Sequence, residues 1–376
     1  MKRVWLNLHR WVGLKLFILL SFVLITGTLA TISHEIDWLI DPARRVSPAA
    51  APAKQDWDGL VEAAREARPD WSIHWVAAPL DPWHSAEVVG ATPEGTLKRL
   101  LIHPGTLEIR GERGWFNAQR LFRDSHRRLM IFNVWGIILV SSLSILLMLS
   151  LISGLFVYKK FWRGFFKKPR MRDARTFWGD MHRLGGVWSL WFIAVIALTG
   201  FWYLIEALGN ATGQRVGPFP EQAPPAAYMQ SETAQTSISY LELAARAEAT
   251  LENYRITALH MPKFAGDPVE FYGHSKAILV RERANQVTFD SASGEMTSVT
   301  KGETLSAMQR VSEMADPLHF GTFGGFWTKI LYFLFGVILS AMSLSGVYVF
   351  SARIRNADAK AVLKAERKQF TQKATA

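Results

Sequence analysis

Four apolar runs constrain this chain more than any other feature. Residues 14–32, 131–158, 187–204 and 330–350 are dominated by Leu, Ile, Val, Phe and Ala. A helix rising about 1.5 Å per residue covers a hydrocarbon layer of about 30 Å in roughly 20 residues, so each run is long enough to cross a bilayer. The mean hydropathy of +0.08 conceals this, because it averages strongly apolar segments with strongly polar ones. Four crossings are the expected frame.

Orientation follows from the charges beside the crossings, since short basic loops stay on the cytoplasmic side. Lys159, Lys160, Arg163, Lys167, Lys168, Arg170, Arg172 and Arg175 crowd the link between the second and third runs, and Arg353, Arg355, Lys360, Lys364, Arg367 and Lys368 follow the fourth. That link and both termini are therefore expected to face the cytoplasm. The net charge of +11 is then a topology and lipid-headgroup signal. Nucleic-acid binding would need a basic folded domain, and none is found. Met1-Lys2-Arg3 before the first run resembles the start of a signal peptide, but the run is long, and it is read as an uncleaved anchor. With no cysteine, the chain has no disulfide, no thiolate-held iron–sulfur cluster and no attachment site for c-type haem.

The runs come in two copies. His9-Arg10 and Thr26-Gly27 bracket the first, and His182-Arg183 and Thr199-Gly200 bracket the third at identical spacing. His126 leads a segment closing in Ser153-Gly154, and His319 leads one closing in Ser345-Gly346. A duplicated helical hairpin that begins and ends on one side relates its halves by a two-fold axis along the membrane normal, so equivalent residues face each other. His9 is thus expected to pair with His182 near the cytoplasmic face, and His126 with His319 near the outer face. An imidazole in a membrane needs a partner, and a haem iron accepts one from each side. Two non-covalent b haems, each held by two histidines, are the expected cofactors. Gly27, Gly154, Gly200 and Gly346 would allow the close approach that a macrocycle or neighbouring helix requires. His126 lies much farther from Gly154 than His9 does from Gly27, so His126 and His319 are placed high, near the outer interface.

Beside the ligands, Arg10, Arg183 and Arg127, with Arg123 and Arg128, are candidate partners for haem propionates. The alternative for every His-Arg pair is a helix end snorkelling to headgroups. For His34 three roles stay open: a substitute for His126 or His319, a polar neighbour of the outer haem, or a helix end at the interface. His74, His84, His103, His260 and His274 are expected at the surface of the outer segments. No H-x-H or H-E-x-x-H spacing joins them into a zinc site. Trp57, Trp71, Trp75 and Trp83 are candidates for holding an organic ligand, against the default of core packing.

The two segments outside the membrane share one order of elements. In the first, 56–67 has helical apolar spacing, 71–77 and 86–91 alternate as strands, and 99–102 with 107–109 forms a hairpin around His103-Pro104-Gly105-Thr106. In the second, 239–248 is the helix, 255–260, 269–272 and 277–281 are strands, and 286–289 with 294–299 is the hairpin. Proline-rich linkers at 41–52 and 217–225 tie them to the helices.

With the motifs Leu8-His9-Arg10-Trp11-Val12-Gly13-Leu14, Met181-His182-Arg183-Leu184-Gly185-Gly186 and Leu318-His319-Phe320-Gly321-Thr322, this pattern resembles the PepSY-associated transmembrane proteins. Among them it resembles the inner-membrane ferric-siderophore reductases of the FoxB and PiuB type. The resemblance implies a membrane α+β protein, a four-transmembrane-helix bundle of two repeated hairpins, each carrying a small periplasmic α+β (PepSY-like) domain. The corresponding division is helix 1 at 1–34, outer domain 1 at 35–125, helix 2 at 126–158 and a basic loop at 159–179. Helix 3 follows at 180–206, outer domain 2 at 207–318, helix 4 at 319–352 and a basic tail at 353–376.

The function so implied is transfer of electrons through haem to a ferric siderophore on the periplasmic side, releasing ferrous iron. No G-x-G-x-x-G follows a strand, so no nucleotide site is present by a known motif, and quinol or a cytosolic reductase must be the donor. Two alternatives stand beside it. One is a cytochrome b subunit that passes electrons to a periplasmic protein, and the other is a haem-free PepSY-type binding or transport protein.

Overall fold

Along the chain a short helix leads four times into an apolar one. In the computed structural model, α1 (Lys2–Lys15) precedes α2 (Phe17–Thr31), and α3 (Ser33–Ile40) follows directly. Beyond α4 (Trp57–Ala67), α5 (Ala118–Arg128) precedes α6 (Val134–Val157), and α7 (Ala174–Trp188) precedes α8 (Leu190–Ala211). After α9 (Tyr240–Thr250), α10 (Ala307–Phe320) precedes α11 (Gly325–Ala374). The structure describes residues 2–15, 17–48, 54–214, 216, 238–264 and 266–374. The linker expected at 217–225 and the end of the one at 41–52 lie outside them.

Three of these helices are long and apolar enough to cross a membrane: α6, α8 and α11 over Gly325–Arg355. The bent pair α1 and α2 makes a fourth if it is taken as one span. The crossings are shorter than the expected 126–158, 180–206 and 319–352, because the chain breaks before each. Leu129 and Met130 take left-handed backbone angles (φ 51° and 60°), and Met130 N–H donates back to Asp124 O at 3.2 Å, which closes α5. Asn133 Oδ1 then caps α6 by accepting from Trp135 N–H. Ser189 separates α7 from α8, and left-handed Gly321 (φ 69°) ends α10. The segment expected as a basic tail continues α11 as helix.

The chain divides into two compact units: Met1–Thr31, Phe122–Ala211 and Gly324–Ala376 form one, Ile32–Leu121 and Thr212–Phe323 the other. In the first, α6 packs against α8, α2 and α7 pack against α11, and α1 packs against α6. Lipid gives little hydrophobic drive for helix association, so close contact of small residues and interhelical hydrogen bonds must supply it. Both are present. A Cβ on Gly200 would come within 3.1 Å of Ser144, Ser21 and Ser343 bond through their hydroxyls at 2.8 Å, and Thr28 and Ser340 do so at 3.3 Å. Leu147, Phe192, Ile193, Ala197, Tyr332 and Leu339 fill the interior.

The second unit is one antiparallel sheet in the order β4-β3-β2-β1-β5-β6-β7-β8. Its first half is β1 (Ser72–Ala77), β2 (Ala86–Ala91), β3 (Leu97–Ile102) and β4 (Ile109–Gly114). The other half is β5 (Arg255–His260), β6 (Val269–His274), β7 (Gln286–Phe289) and β8 (Met296–Thr300). In each outer segment a helix is followed by four strands in the same order; the pattern predicted four for the first segment and five for the second. The two do not stay separate, because β1 pairs with β5 through Trp75↔His260, Val76↔Leu259 and Ala77↔Ala258. Pairing these two edges removes a row of open backbone donors and acceptors from each half. α4 and α9 cover one face with Trp57, Leu60, Leu243 and Ala247, over Val76, Val88, Leu259 and Phe271.

Asp56 caps α4 through Gly59 N–H, and Asp58 reaches across to accept from Tyr240 and Leu241 N–H at the start of α9. Residues 277–281, expected as a strand, are irregular instead. Leu279 is left-handed (φ 55°), and Arg281 is drawn to α10, where its backbone N–H donates to Glu313 and its guanidinium pairs with Asp316 at 2.7 Å.

Candidate functional site

The sequence predicts that each terminal histidine leads its own crossing. The structure instead seats His9, His126, His182 and His319 on the short helices α1, α5, α7 and α10. A break in the backbone thus separates His126, His182 and His319 from the apolar helix that follows, and α1 with His9 is bent by 72° against α2. His9 and His182 are brought together, with ring centroids 6.2 Å apart and planes at 79°.

Both imidazoles are held the same way. His9 Nδ1 lies 3.2 Å from Ser150 O and 3.0 Å from Ser153 Oγ, and His182 Nδ1 lies 3.0 Å from Met342 O and 3.4 Å from Ser345 Oγ. A carbonyl oxygen only accepts, so Nδ1 carries the ring proton and Nε2 keeps its lone pair. Each ring also rests against the glycine of the matching Ser-Gly doublet. A Cβ on Gly154 would lie 3.7 Å from His9 Cε1, and one on Gly346 would lie 3.2 Å from His182 Cε1.

Two metal–imidazole bonds of about 2 Å, plus about 1.2 Å from each nitrogen to its ring centre, put axial imidazoles roughly 6.4 Å apart by centroid. The His9–His182 centroid separation of 6.2 Å is close to that sum, and each imidazole is oriented through its Nδ1, as metal-binding histidines commonly are.

His126 has the same tautomeric constraint, since its Nδ1 is 2.8 Å from Val23 O, and it lies against Gly27. His319 belongs to the other compact unit, where its ring meets Phe320 edge-on at 5.9 Å. Of the four repeat glycines, Gly200 alone faces no histidine and packs on Ser144. His34 is exposed on α3. Among the arginines, Arg183 pairs with Asp180, which also takes Arg170 at 2.9 Å, and these two cations hold the Asp180 carboxyl well below its ordinary range. Arg10 is half-buried and Arg127 exposed, while Arg128 bridges to Asp124 at 3.6 Å. Among the described residues no cluster of three or more His, Cys, Asp or Glu side chains forms a metal cage.

The second unit holds polar groups the sequence did not single out. Asp37 is buried and accepts from Asn117 Nδ2 at 2.6 Å and from Ala118 and Gln119 N–H at 2.9 and 3.1 Å, which caps the start of α5. It lines a cavity of about 440 Å³ with Asp41, Arg44, Arg113, Phe116 and Asn117. Beside Arg44, Glu87 loses solvation on burial, yet Arg44 and Arg99 outweigh this and hold its carboxyl below the ordinary range. Glu313, also buried, ties α10 to Arg281 and Arg283. Nothing in the spacing of Asp37 or Glu313 marked them, since their partners lie far along the chain. The Ser-Gly doublets, by contrast, were visible as repeats before their role was.

Of the five outer histidines predicted at the surface, His84 is buried and His260 is packed between rings, while His74, His103 and His274 stay partly exposed. His84 is buried and bonded to Asp81 at 2.7 Å, and His103 accepts from Gly105 and Thr106 N–H in its turn. His260 stacks between Trp75 and Tyr272, and burial pushes it down to about 4. His74 and His274 are half-buried. Trp57 and Trp71 belong to the core, Trp75 also meets Trp115, and Trp83 is exposed.

The profile of a family described as a PepSY-associated TM region matches residues 6–353. No curated protein matches the chain.

Proposed function

The chain belongs to the PepSY-associated transmembrane family, and from that premise we propose that this multi-pass membrane protein is a two-haem electron-transfer protein reducing ferric siderophore. The observation that carries the reading is the His9–His182 pair: two imidazoles with ring centroids 6.2 Å apart, both with Nδ1 turned to a carbonyl. They would hold one b haem, and the sequence repeat assigns His126 and His319 to the other. Bis-histidine ligation supplies one-electron transfer and leaves no open iron position.

The chain's own part is to hold and orient. Carbonyls of Ser150, Met342 and Val23 fix the tautomers, and glycines make room for the rings. The basic stretches at 159–175 and 353–368 support an arrangement with both termini in the cytoplasm of a bacterial inner membrane and the sheet unit in the periplasm. Quinol in the bilayer or a cytosolic reductase would donate the electron, and the ferric chelate would accept it. Ferrous iron binds hard oxygen chelators more weakly and is then released.

The test is the visible spectrum of purified protein, as isolated and after dithionite, with pyridine haemochrome quantification and then addition of ferric siderophore. Two b haems per chain, reoxidised by the chelate, are expected. Two haems unreactive with any chelate would point to a cytochrome b subunit serving a protein partner, and colourless protein would overturn the electron-transfer reading.

A further inference from the structure

We propose that Ser153 and Ser345 are positioning residues that orient His9 and His182 through their hydroxyls and so set the electron affinity of the metal between them. The inference rests on the haem reading of that pair. Ser153 is fully buried, and its Oγ–H donates to Leu149 O at 2.6 Å, a carbonyl one turn back on α6. With its proton engaged there, the oxygen presents a lone pair to His9 Nδ1 at 3.0 Å, closer than the Ser150 carbonyl at 3.2 Å. Ser345 repeats the device on α11. Its Oγ–H donates to Met342 O at 3.2 Å, and its lone pair faces His182 Nδ1 at 3.4 Å. On this side the order is inverted, since the Met342 carbonyl at 3.0 Å is the nearer acceptor. His9 thus leans more on a hydroxyl and His182 more on a carbonyl.

A packing role explains these serines less well. Small residues at helix contacts are common in membranes, and alanine would serve there equally. A serine adds only the hydroxyl, and both hydroxyls lie against the imidazole of a candidate ligand. An acceptor on Nδ1–H raises the basicity of Nε2, which favours the oxidised metal.

The test is Ser153→Ala and Ser345→Ala in the full-length haem-loaded protein, with potentiometric titration, electron paramagnetic resonance of the ferric form, and haem retention on dilution. Loss of the Ser153 hydroxyl is expected to raise one of the two midpoint potentials, alter one low-spin ferric signal, and weaken haem retention roughly tenfold. Ser345→Ala should shift the same potential in the same direction by less. Ser144→Ala, at a buried serine that faces Gly200 rather than a histidine, should leave both potentials in place. If both variants keep two haems with unchanged potentials and signals, the serines only pack and the inference is wrong. If one variant does not fold, the other decides alone by the same readouts. Wild-type protein without haem would instead overturn the functional reading, a result visible before either variant is made.

Discussion

His126 occupies the space that Gly27 leaves open: a Cβ at Gly27 would stand 2.6 Å from both Cε1 and Nδ1 of the imidazole. Real atoms do not approach so closely, so Gly27→Ala must move the ring or part the helices and break the bond to Val23 O. Overpacking of this kind costs about 1–3 kcal/mol. The expected outcome is loss of one of the two haems by haemochrome, with the other spectrum intact. Full retention of both would detach His126 from the iron.

Replacing either partner of a shared ligand pair should remove the same haem. His9→Ala and His182→Ala are each expected to lower the haemochrome yield from two to one, and the double variant to lower it no further, since residues acting as a unit are not additive. A double variant with no haem would mean that His9 and His182 serve different irons.

Gly346 is tighter against its histidine than Gly154, with Cβ distances of 3.2 and 3.7 Å. Gly346→Ala should therefore disturb the electron paramagnetic resonance signal of the haem proposed at His9 and His182 more than Gly154→Ala. Equal effects would remove these contacts from the account of ring orientation.

Asp37 accepts from three donors at the start of α5, and its removal deprives the buried Gln119 N–H and the half-buried Asn117 and Ala118 donors of that acceptor. Each buried polar group left unmet costs about 1–3 kcal/mol. Asp37→Ala should lower the melting temperature and open the start of α5 to limited proteolysis. Unchanged melting and cleavage would show that the cap carries no stability.

His260 supplies a pH dependence. Its ordinary value is about 6.5, and burial first, then Lys263, pushes it down to about 4 in the folded chain. The folded state therefore binds fewer protons than the unfolded state between these values, and stability is complete above about 6.5 and lost as pH falls toward 4. Wild-type protein should lose more melting temperature between pH 7 and 4.5 than His260→Gln, which has no proton to gain. Parallel curves would place the acid sensitivity elsewhere.

The features legible in the sequence were those set by local patterns. Lipid tests every residue of a crossing helix against one criterion, so hydropathy alone located α6, α8 and α11. Alternating apolar residues marked most of the sheet for a similar reason, since strand side chains alternate between core and solvent. The matched His-Arg and Thr-Gly spacing also led to the expectation that His9 would lie near His182, and the two rings are 6.2 Å apart.

Only the tertiary structure decided the rest. The left-handed turn at Leu129 and Met130 set His126 on its own helix, and the β1–β5 seam merged two expected modules into one sheet. Which atom each Nδ1 faces depends on contacts between residues far apart in the chain, such as His9 with Ser153 and His182 with Met342. No local periodicity records such contacts, because they form only when separate helices settle at one depth and one rotation.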